Sequence, residues 1–556
     1  MKFSHFLTGI FLFSTTLSNG QQATSQKPFN HPAVSKGTPT ASRPKLIVGV
    51  VVDQMRWDYL YRYANRYSAG GFKRLVQEGF SCENTLINYT PTITACGHTC
   101  VYTGSVPAIH GVIGNSWYSP ELGRTVYCAE DTTVNVVGSN SATAGKMSPR
   151  NMLVTTIGDE LKLSNNFASK VVGVAIKDRG AILPAGHTAN AAYWYDGGSG
   201  NWISSTYYMN ELPAWVQAYN NDKMPQQYLS KPWTTLYPIA SYTLSTADEK
   251  PYEGKYRNAA NTSFPHDLSA MANGSIAASP FGNTMTLEFA KKALEAYEMG
   301  KGSATDLLAI SLSSTDYVGH QFGPNSIETE DTYLRLDQDL AAFFNYLDAR
   351  IGKGQYLFFI TADHGVAHVP GFMEENKLPG GTWNEQAAIR ALNEQVATQF
   401  GVKSVIKGSD NYQLWLNHEG IAEAGKNEAD IRQFIIAQLM KSPAIAKVFP
   451  IDNLMGTTLP EPMRTMLSNG FNTKRSGDIQ LVLAPGYIDG GKTGTTHGLW
   501  YPYDAHIPLV WMGWGIQPGK TNRTVGMTDI APTLAALLHI QMPSGNVGQV
   551  IQEITH

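Results

Sequence analysis

Aspartate and histidine side chains follow several of the apolar, strand-like runs of this 556-residue chain, and both residue types bind metal ions. Carboxylates rarely follow buried strands unless something pairs with them, and ligands bind at the carboxyl ends of strands in open α/β sheets. The candidate ligands are Asp53, Asp316, His320, Asp363, His364 and His497. Such a set is large enough for two metal ions and a bound substrate, so the sequence predicts a metalloenzyme.

A hydroxyl-rich segment, residues 90–98, could supply a nucleophile. Thr94 stands where we expect a helix to begin, and free backbone amides at a helix N-terminus favour anions. A threonine hydroxyl is a poor nucleophile, but coordination to a metal ion makes its alkoxide accessible at modest pH. The alternative is that Thr92 or Thr94 only caps the helix. Because the candidate ligands favour the first interpretation, Thr94 is the predicted nucleophile and also a predicted metal ligand.

Four short motifs give the chain a family resemblance. They are Thr-Ala-Cys-Gly-His at 94–98, His-Gly-Val-Ile-Gly-Asn-Ser-Trp-Tyr at 110–118, Thr-Ala-Asp-His-Gly at 361–365 and Thr-His-Gly at 496–498. In this order they resemble the alkaline phosphatase superfamily, and most of all the bacterial phosphate-irrepressible (PafA-type) alkaline phosphatases. The resemblance runs from about residue 45 to the C-terminus. It implies a hydrolase of phosphate monoesters.

The resemblance also implies a role for each matching residue. One zinc ion would be held by Asp316, His320 and His497, and a second by Asp53, Asp363 and His364. Thr94 would form a covalent phosphothreonine, and Asn115, Lys177 and Arg179 would bind the nonbridging phosphate oxygens. The implied cofactors are two Zn²⁺ per chain. Spacing agrees for Asp316 and His320, which are four residues apart and share one side of a helical turn.

Lys177 and Arg179 bear on the substrate. If the strand-like run 171–176 continues, side chains two residues apart face the same way, so both cations point together. A phosphate monoester carries nearly two negative charges, which two added cations suit, whereas a diester carries one. The alternative is a solvated, charged strand end.

Other functions stay open at this point. A phosphodiesterase or nucleotide pyrophosphatase of the same superfamily would share the nucleophile and the ligands. A non-catalytic protein that binds metal or phosphate is a further alternative. A sulfatase is disfavoured because residues 96–100 lack the proline and arginine of a formylglycine motif.

Apolar runs that alternate with helical patterns predict a doubly wound α/β sandwich with a central, mostly parallel sheet. Two blocks interrupt the alternation and are predicted insertions: an aromatic-rich insertion at 184–267 and an inserted subdomain at 382–485. The α/β catalytic core then comprises 45–183, 268–381 and 486–556. The predicted strands are 46–52, 171–176, 307–313, 356–361 and 507–513, and the predicted helices of the core are 94–102, 151–163, 284–299, 328–351 and 529–538.

The N-terminus has the layout of a secretory signal peptide, residues 1–20, followed by a flexible lead-in at 21–44. The protein is therefore expected to be exported, either periplasmic or secreted. Its net charge of −3 and pI of about 6.5 do not indicate a nucleic-acid partner, and no later apolar run is long enough to indicate a membrane partner.

The expected partners are small-molecule phosphate monoesters, and a monomer is compatible with the sequence, which does not fix the oligomeric state. Four cysteines permit up to two disulfides in an oxidising compartment, with the pairing open: Cys82, Cys96, Cys100 and Cys128.

Overall fold

A computed structural model describes residues 43–257 and 259–555. The predicted signal peptide and residues 21–42 of the predicted lead-in lie outside the described residues. Within them, the main feature is a mixed sheet of eleven strands. Its strand order is His506–Ile507, Phe80–Leu86, Leu509–Gly513, Tyr356–Thr361, Leu46–Val52, Asp306–Leu312, Val171–Ala175, Ala191–Asp196, Asn201–Ser205 and Val136–Val137, with Gly519–Gly526 added beside Phe80–Leu86.

The five central strands of this sheet are parallel, and antiparallel strands flank them on both sides. Leu46–Val52 lies at the centre, between Tyr356–Thr361 and Asp306–Leu312, and each of its residues is buried. Continuous apolar sequence is what a strand covered on both faces requires. The predicted doubly wound α/β fold is therefore confirmed.

Two groups of helices pack against the sheet, and the helices of each group contact one another. One group comprises Thr94–Thr103, Ile157–Leu163, Asp178–Ala185 and Ile530–Leu538. The other comprises Phe72–Glu78, Phe281–Ala296, Ser314–Phe322 and Ile327–Leu347. Other helices occur at Tyr59–Arg62, Pro107–His110, Ala214–Asn221, Met224–Leu229, Pro370–Glu375, His418–Glu423, Met463–Gly470 and Pro502–Ala505.

The aromatic-rich block 184–267 contributes to the main sheet. Ala191–Asp196 and Asn201–Ser205 are two of its strands, and Trp194 and Trp202 are buried at 2% and 1% exposure. Aromatic residues in this block thus serve largely as core, because they cover strands that extend the sheet beyond Val171–Ala175.

The block 382–485 contains a second sheet with a hydrophobic core of its own. Four antiparallel strands form it in the order Ile406–Asp410, Gln413–Leu416, Ile479–Leu483 and Ile445–Pro450. The helices Glu385–Phe400 and Glu428–Leu439 supply core residues to it. A short parallel pair, Gly381–Trp383 with Tyr487–Asp489, joins the two ends of the block. The domain boundaries themselves stay a prediction.

The cysteines and the longer helices bear on two predictions from the sequence. All four cysteines are buried free thiols, so neither of the permitted disulfides is present. Among residues 43–257 and 259–555, no helix combines the length and the apolar character needed to cross a bilayer.

Candidate active site

The candidate ligands meet at the carboxyl edge of the central parallel strands. Asp53 directly follows Leu46–Val52, and Asp363 and His364 follow Tyr356–Thr361 after one intervening residue. Asp316 lies in the first turn of the helix that follows Asp306–Leu312. All four side chains are at most 3% exposed. Neighbouring parallel strands end side by side, which is why residues hundreds of positions apart converge here.

Asp316, His320 and His497 form the first group of potential metal ligands. The Asp316 Oδ1 atom lies 3.1 Å from His320 Nε2 and 3.6 Å from His497 Nε2. Their ligand atoms all lie within 4.8 Å of one another. The helix Ser314–Phe322 places the first two on one side, and the His497 ring is fixed because its Nδ1 hydrogen-bonds the backbone oxygen of Thr92 at 2.8 Å.

The second group is centred on His364. Its Nε2 atom lies 3.5 Å from Asp53 Oδ1 and 3.4 Å from Asp363 Oδ2. Asp53, Asp316 and His364 also have ligand atoms within 4.8 Å of one another, so Asp316 lies within reach of both groups.

The chemistry of the second group fits a metal ion. Asp53 Oδ1, Asp363 Oδ2 and His364 Nε2 are all buried and have no hydrogen-bond partner in the described structure. Buried polar atoms without partners cost free energy, and two carboxylate oxygens facing an imidazole nitrogen form a donor set for zinc. A bound divalent cation would satisfy all three atoms.

Protonation in the site follows burial and charge. Burial, together with the carboxylates of Asp316 and Asp363, raises the pKa of Asp53 well above its ordinary value. Burial lowers the pKa of His364 to about 3 and also lowers that of His497. Both imidazoles are therefore neutral near pH 7, which is the form that binds metal.

Asp316 and His320 behave as a pair. Burial alone would raise the pKa of Asp316, but His320 and Lys177 hold it well below its ordinary value. Burial alone would lower the pKa of His320, but Asp316 raises it. The Asp316 carboxylate is thus ionised across the neutral range and available to a cation.

Thr94 is the first residue of the helix Thr94–Thr103 and is 1% exposed. Lys177 reaches it: the Lys177 Nζ atom lies 3.4 Å from Thr94 Oγ1, 2.7 Å from Asp53 Oδ2 and 2.5 Å from Asp316 Oδ2. The hydroxyl, the cation and the candidate metal ligands therefore share one pocket. An anion placed against Thr94 would meet Lys177 and the free amides of the helix N-terminus.

Asn115 lies at the same helix N-terminus. Its Oδ1 atom accepts a hydrogen bond from the Ala95 backbone N–H at 3.0 Å. This contact fixes the side-chain amide, whose nitrogen donates to no protein group in the described residues. The amide nitrogen is thus available to donate to an oxygen of a bound ligand.

The strand expected to carry both Lys177 and Arg179 does not continue. It ends at Ala175, and a helix begins at Asp178 with Lys177 as its N-cap residue. Asp178 in the first turn favours helix over strand because its carboxylate suits the N-terminal dipole. The inference that Lys177 and Arg179 point together along a strand is therefore wrong. Arg179 Nη1 instead donates to the Tyr127 hydroxyl at 3.0 Å.

Some site residues were missed or discounted in the sequence. Gln54 hydrogen-bonds two of the ligands, Asp316 and Asp363. No sequence motif points to it, because its role depends on a left-handed backbone conformation. His98, the last residue of the first motif, had no predicted role and lies 3.2 Å from Asp363 Oδ2 through its Nδ1 atom. Tyr127 went unnoticed because nothing in the sequence relates it to Arg179.

A cavity of about 260 Å³ opens beside these residues. Asn115 and His497 lie on its catalytic side, together with Thr496. The block 382–485 and its flanking strand add a wall of three carboxyl groups, which belong to Glu385, Asp410 and Asp489. A ligand that reaches Thr94 through this cavity would pass an acidic surface.

The chain is similar in sequence to known proteins over most of its length. A sequence model of the family described as type I phosphodiesterase / nucleotide pyrophosphatase matches residues 47–509. Alkaline phosphatase PhoV of Synechococcus elongatus is 54% identical over 518 residues, which cover 93% of this chain and 94% of that protein. A Myroides odoratus protein named calcium-transporting ATPase is 52% identical over 519 residues, covering 92% of this chain and 94% of that protein.

The fold is also similar to that of a crystallised relative, alkaline phosphatase PafA. The two structures superpose with a TM-score of 0.91 at 48% sequence identity, covering 93% of this chain and 99% of the other. A mutant of the same relative was solved with a threonine, an asparagine, a lysine and an arginine replaced. Those four occur in the order and at the spacing of Thr94, Asn115, Lys177 and Arg179 in this chain.

Proposed function

The chain belongs to the type I phosphodiesterase / nucleotide pyrophosphatase family, within the alkaline phosphatase superfamily, and on that premise we propose that it cleaves phosphate monoesters through a covalent phosphothreonine at Thr94. It is an enzyme, a phosphate monoester hydrolase of the alkaline phosphatase kind. The proposal adds the covalent intermediate and two Zn²⁺ per chain.

One observation carries the metal assignment: three buried, unpartnered ligand atoms, from Asp53, Asp363 and His364, face one another beside Thr94. These residues would hold one ion, and Asp316, His320 and His497 would hold the other. Two bound divalent ions would stabilise the negative charge that develops on the attacking and leaving oxygens. Mixed carboxylate and imidazole donors suit zinc.

In the proposed reaction, the Thr94 oxygen gives up its proton to solvent and attacks phosphorus in line with the leaving group. A bond forms between Thr94 Oγ1 and phosphorus, the ester bond to the leaving group breaks, and the alcohol departs with a proton from solvent. Water then attacks the phosphothreonine, the bond from phosphorus to Thr94 breaks, and Thr94 takes back a proton as phosphate leaves. Each step is a simple displacement at phosphorus.

Lys177, Asn115 and Arg179 would hold the nonbridging oxygens during both displacements. Lys177 is already beside the nucleophile, and Asn115 has a free amide nitrogen there. The mutant of the crystallised relative supports grouping these residues with Thr94, because its replaced residues have the same order and spacing. Together the three supply two positive charges and one neutral donor, which suits a dianionic group.

A phosphodiesterase is the second candidate, because the matching family is named for that activity. A diester carries one negative charge and an ester group where a monoester has a free oxygen. The two cations Lys177 and Arg179 would therefore add less to the binding of a diester than to that of a monoester. We therefore expect diesters to be the poorer substrates.

The test is a comparison of wild type, Thr94→Ala and Thr94→Ser on a monoester and a diester with the same leaving group. We expect a higher kcat/KM for the monoester, loss of turnover by at least about 10³-fold in Thr94→Ala, and partial activity in Thr94→Ser, which keeps a nucleophilic hydroxyl. Acid quench of wild type with labelled monoester should leave phosphate on Thr94, identified by mass spectrometry.

Metal analysis of the same proteins separates the alternatives. We expect about two zinc ions per chain in wild type and in Thr94→Ala. If wild type binds metal but hydrolyses no ester, the protein is a binding protein. If the diester is the better substrate, the phosphodiesterase assignment replaces ours.

Export is also part of the proposal, and it rests on the signal-like N-terminus. The mature chain should begin near Gln21 and should be recovered from the periplasm or the medium. N-terminal sequencing of fractionated protein tests this. Size-exclusion chromatography with light scattering would test the monomer that the sequence permits.

A further inference from the structure

Gln54 lies between the two groups of candidate ligands. It directly follows Asp53, is 2% exposed, and has a φ of +66°, in the left-handed region that residues with a Cβ atom seldom adopt. Strained backbone of this kind persists where surrounding contacts hold it, and it clusters at functional sites. The contacts of Gln54 show what it holds.

The side chain and the backbone of Gln54 reach different ligands. Its Nε2 atom donates a hydrogen bond to Asp316 Oδ1 at 2.7 Å. Its backbone N–H donates to Asp363 Oδ1 at 3.1 Å. Asp316 belongs to the first predicted zinc site and Asp363 to the second, so one residue links both.

The backbone contact also orients Asp363. Its Oδ1 atom accepts a second hydrogen bond, from the His364 N–H at 3.0 Å, so both donors engage the same oxygen. The other oxygen, Oδ2, stays without a hydrogen-bond partner and lies 3.4 Å from His364 Nε2. Gln54 thus helps present that oxygen to the second ion.

The side-chain amide is confined as well. A Cβ atom added at Gly319 would lie 1.8 Å from Gln54 Oε1, so the helix that carries Asp316 passes directly over the amide. Close packing on this side keeps the amide nitrogen directed at Asp316.

We infer that Gln54 is a positioning residue that sets the placement of the two zinc sites relative to each other. This inference rests on the proposed function, because it requires two bound ions. Its side chain acts on the site that contains Asp316, and its backbone N–H acts on the site that contains Asp363. A change confined to the side chain should therefore weaken one site more than the other.

The test uses Gln54→Met, which keeps length and backbone N–H but loses the amide donor, and Gln54→Asn, which tolerates a left-handed backbone but does not reach Asp316. Zinc affinities are measured for the full chain by competition with a chromophoric chelator. We expect one of the two ions to bind about 10–100-fold more weakly in both variants, because losing a hydrogen-bond partner of a metal ligand usually has an effect of this size. The affinity for the other ion should change less than about threefold.

The matched control is Gln413→Met. Gln413 is also buried, at 4% exposure, and its Nε2 atom donates to Gln480 Oε1 at 3.1 Å in the sheet of the block 382–485. It should leave both zinc affinities unchanged, whatever it does to the unfolding midpoint in urea. A general effect of replacing a buried glutamine would appear in the control too.

Two outcomes separate the inference from the proposed function. If wild type binds two ions and both Gln54 variants bind them with wild-type affinities, the positioning role is overturned while the proposed function stands. If wild type binds no zinc, the proposed function itself is overturned. An equal loss at both sites in Gln54→Asn would also contradict a role divided between side chain and backbone.

Discussion

Arg179 is held by the Tyr127 hydroxyl, which accepts a hydrogen bond from Arg179 Nη1 at 3.0 Å and donates one to Asp178. We expect Tyr127→Phe to lower kcat/KM for a phosphate monoester about tenfold, the size of one charge-assisted hydrogen bond that orients a cation. A diester with the same leaving group should lose less, because it presents less charge to Arg179. Steady-state kinetics on the two esters measure the difference.

Tyr208→Phe is the control for this prediction. The Tyr208 hydroxyl is buried without a hydrogen-bond partner in the described structure, so its removal breaks no such contact. It should leave both rates unchanged. Equal losses on the two esters in Tyr127→Phe would argue that the tyrosine supports the fold and does not orient Arg179.

The residue types of the site were predictable, and their hydrogen-bond partners were not. Four ordered motifs carried the family resemblance, which implied Asp53, Asp316, Asp363 and His497 as ligands, and the structure brings these residues together. Gln54 and Tyr127 act through long-range contacts, which a single sequence does not encode in any local pattern. Whether the ligands bind zinc stays a prediction.

The block 382–485 and its flanking strand place three carboxyl groups at the cavity beside His497: Glu385, Asp410 and Asp489. Burial raises the pKa of Glu385 to about 7 and that of Asp410 to about 6. Both are therefore ionised in alkaline solution. We expect Glu385→Gln to raise kcat/KM at pH 9 about fivefold for a monoester whose leaving group carries a carboxylate, because one repulsive charge is removed. A neutral leaving group should show little change.

The charge on Glu385 depends on pH, and so should the effect of Glu385→Gln. Glu385 is mostly protonated below its raised pKa of about 7 and mostly charged above it. The advantage of Glu385→Gln should therefore be small at pH 6 and grow as pH rises through 7. Glu419→Gln removes the same charge from an exposed position of the block and is the control. An advantage that does not depend on pH, or that extends to neutral leaving groups, would contradict the electrostatic explanation.

Element types were more predictable than element ends. Leu46–Val52 and Tyr356–Thr361 match their predicted bounds, because the ends of an uninterrupted apolar run are visible in the sequence. The predicted strand 171–176 does not continue to Arg179, because it ends at Ala175 and Lys177 caps the next helix. The predicted helix 151–163 begins only at Ile157, after Thr156 forms a capping box with Asp159. Such boundaries depend on side-chain hydrogen bonds that periodicity does not contain.

The candidate ligands also connect the fold over nearly its whole length, from Asp53 to His497. Ions that bind only the folded chain stabilise it by mass action, by about 2.7 kcal/mol per site when free zinc is at 100 times its Kd. We therefore expect a strong chelator to lower the temperature of thermal unfolding and added zinc to restore it. Scanning calorimetry of wild type with chelator, and again after zinc is added, measures the shift.

Asp316 should contribute most to this metal-dependent stability, because its carboxylate belongs to both groups of neighbouring ligand atoms. Asp316→Asn should lose most of the chelator-dependent shift, since a neutral amide is a weaker ligand for both ions. Asp222→Asn, at an exposed position after the helix Ala214–Asn221, should keep the full shift. A wild-type unfolding temperature that does not respond to chelator would mean that the convergence of these carboxylates and imidazoles does not depend on metal.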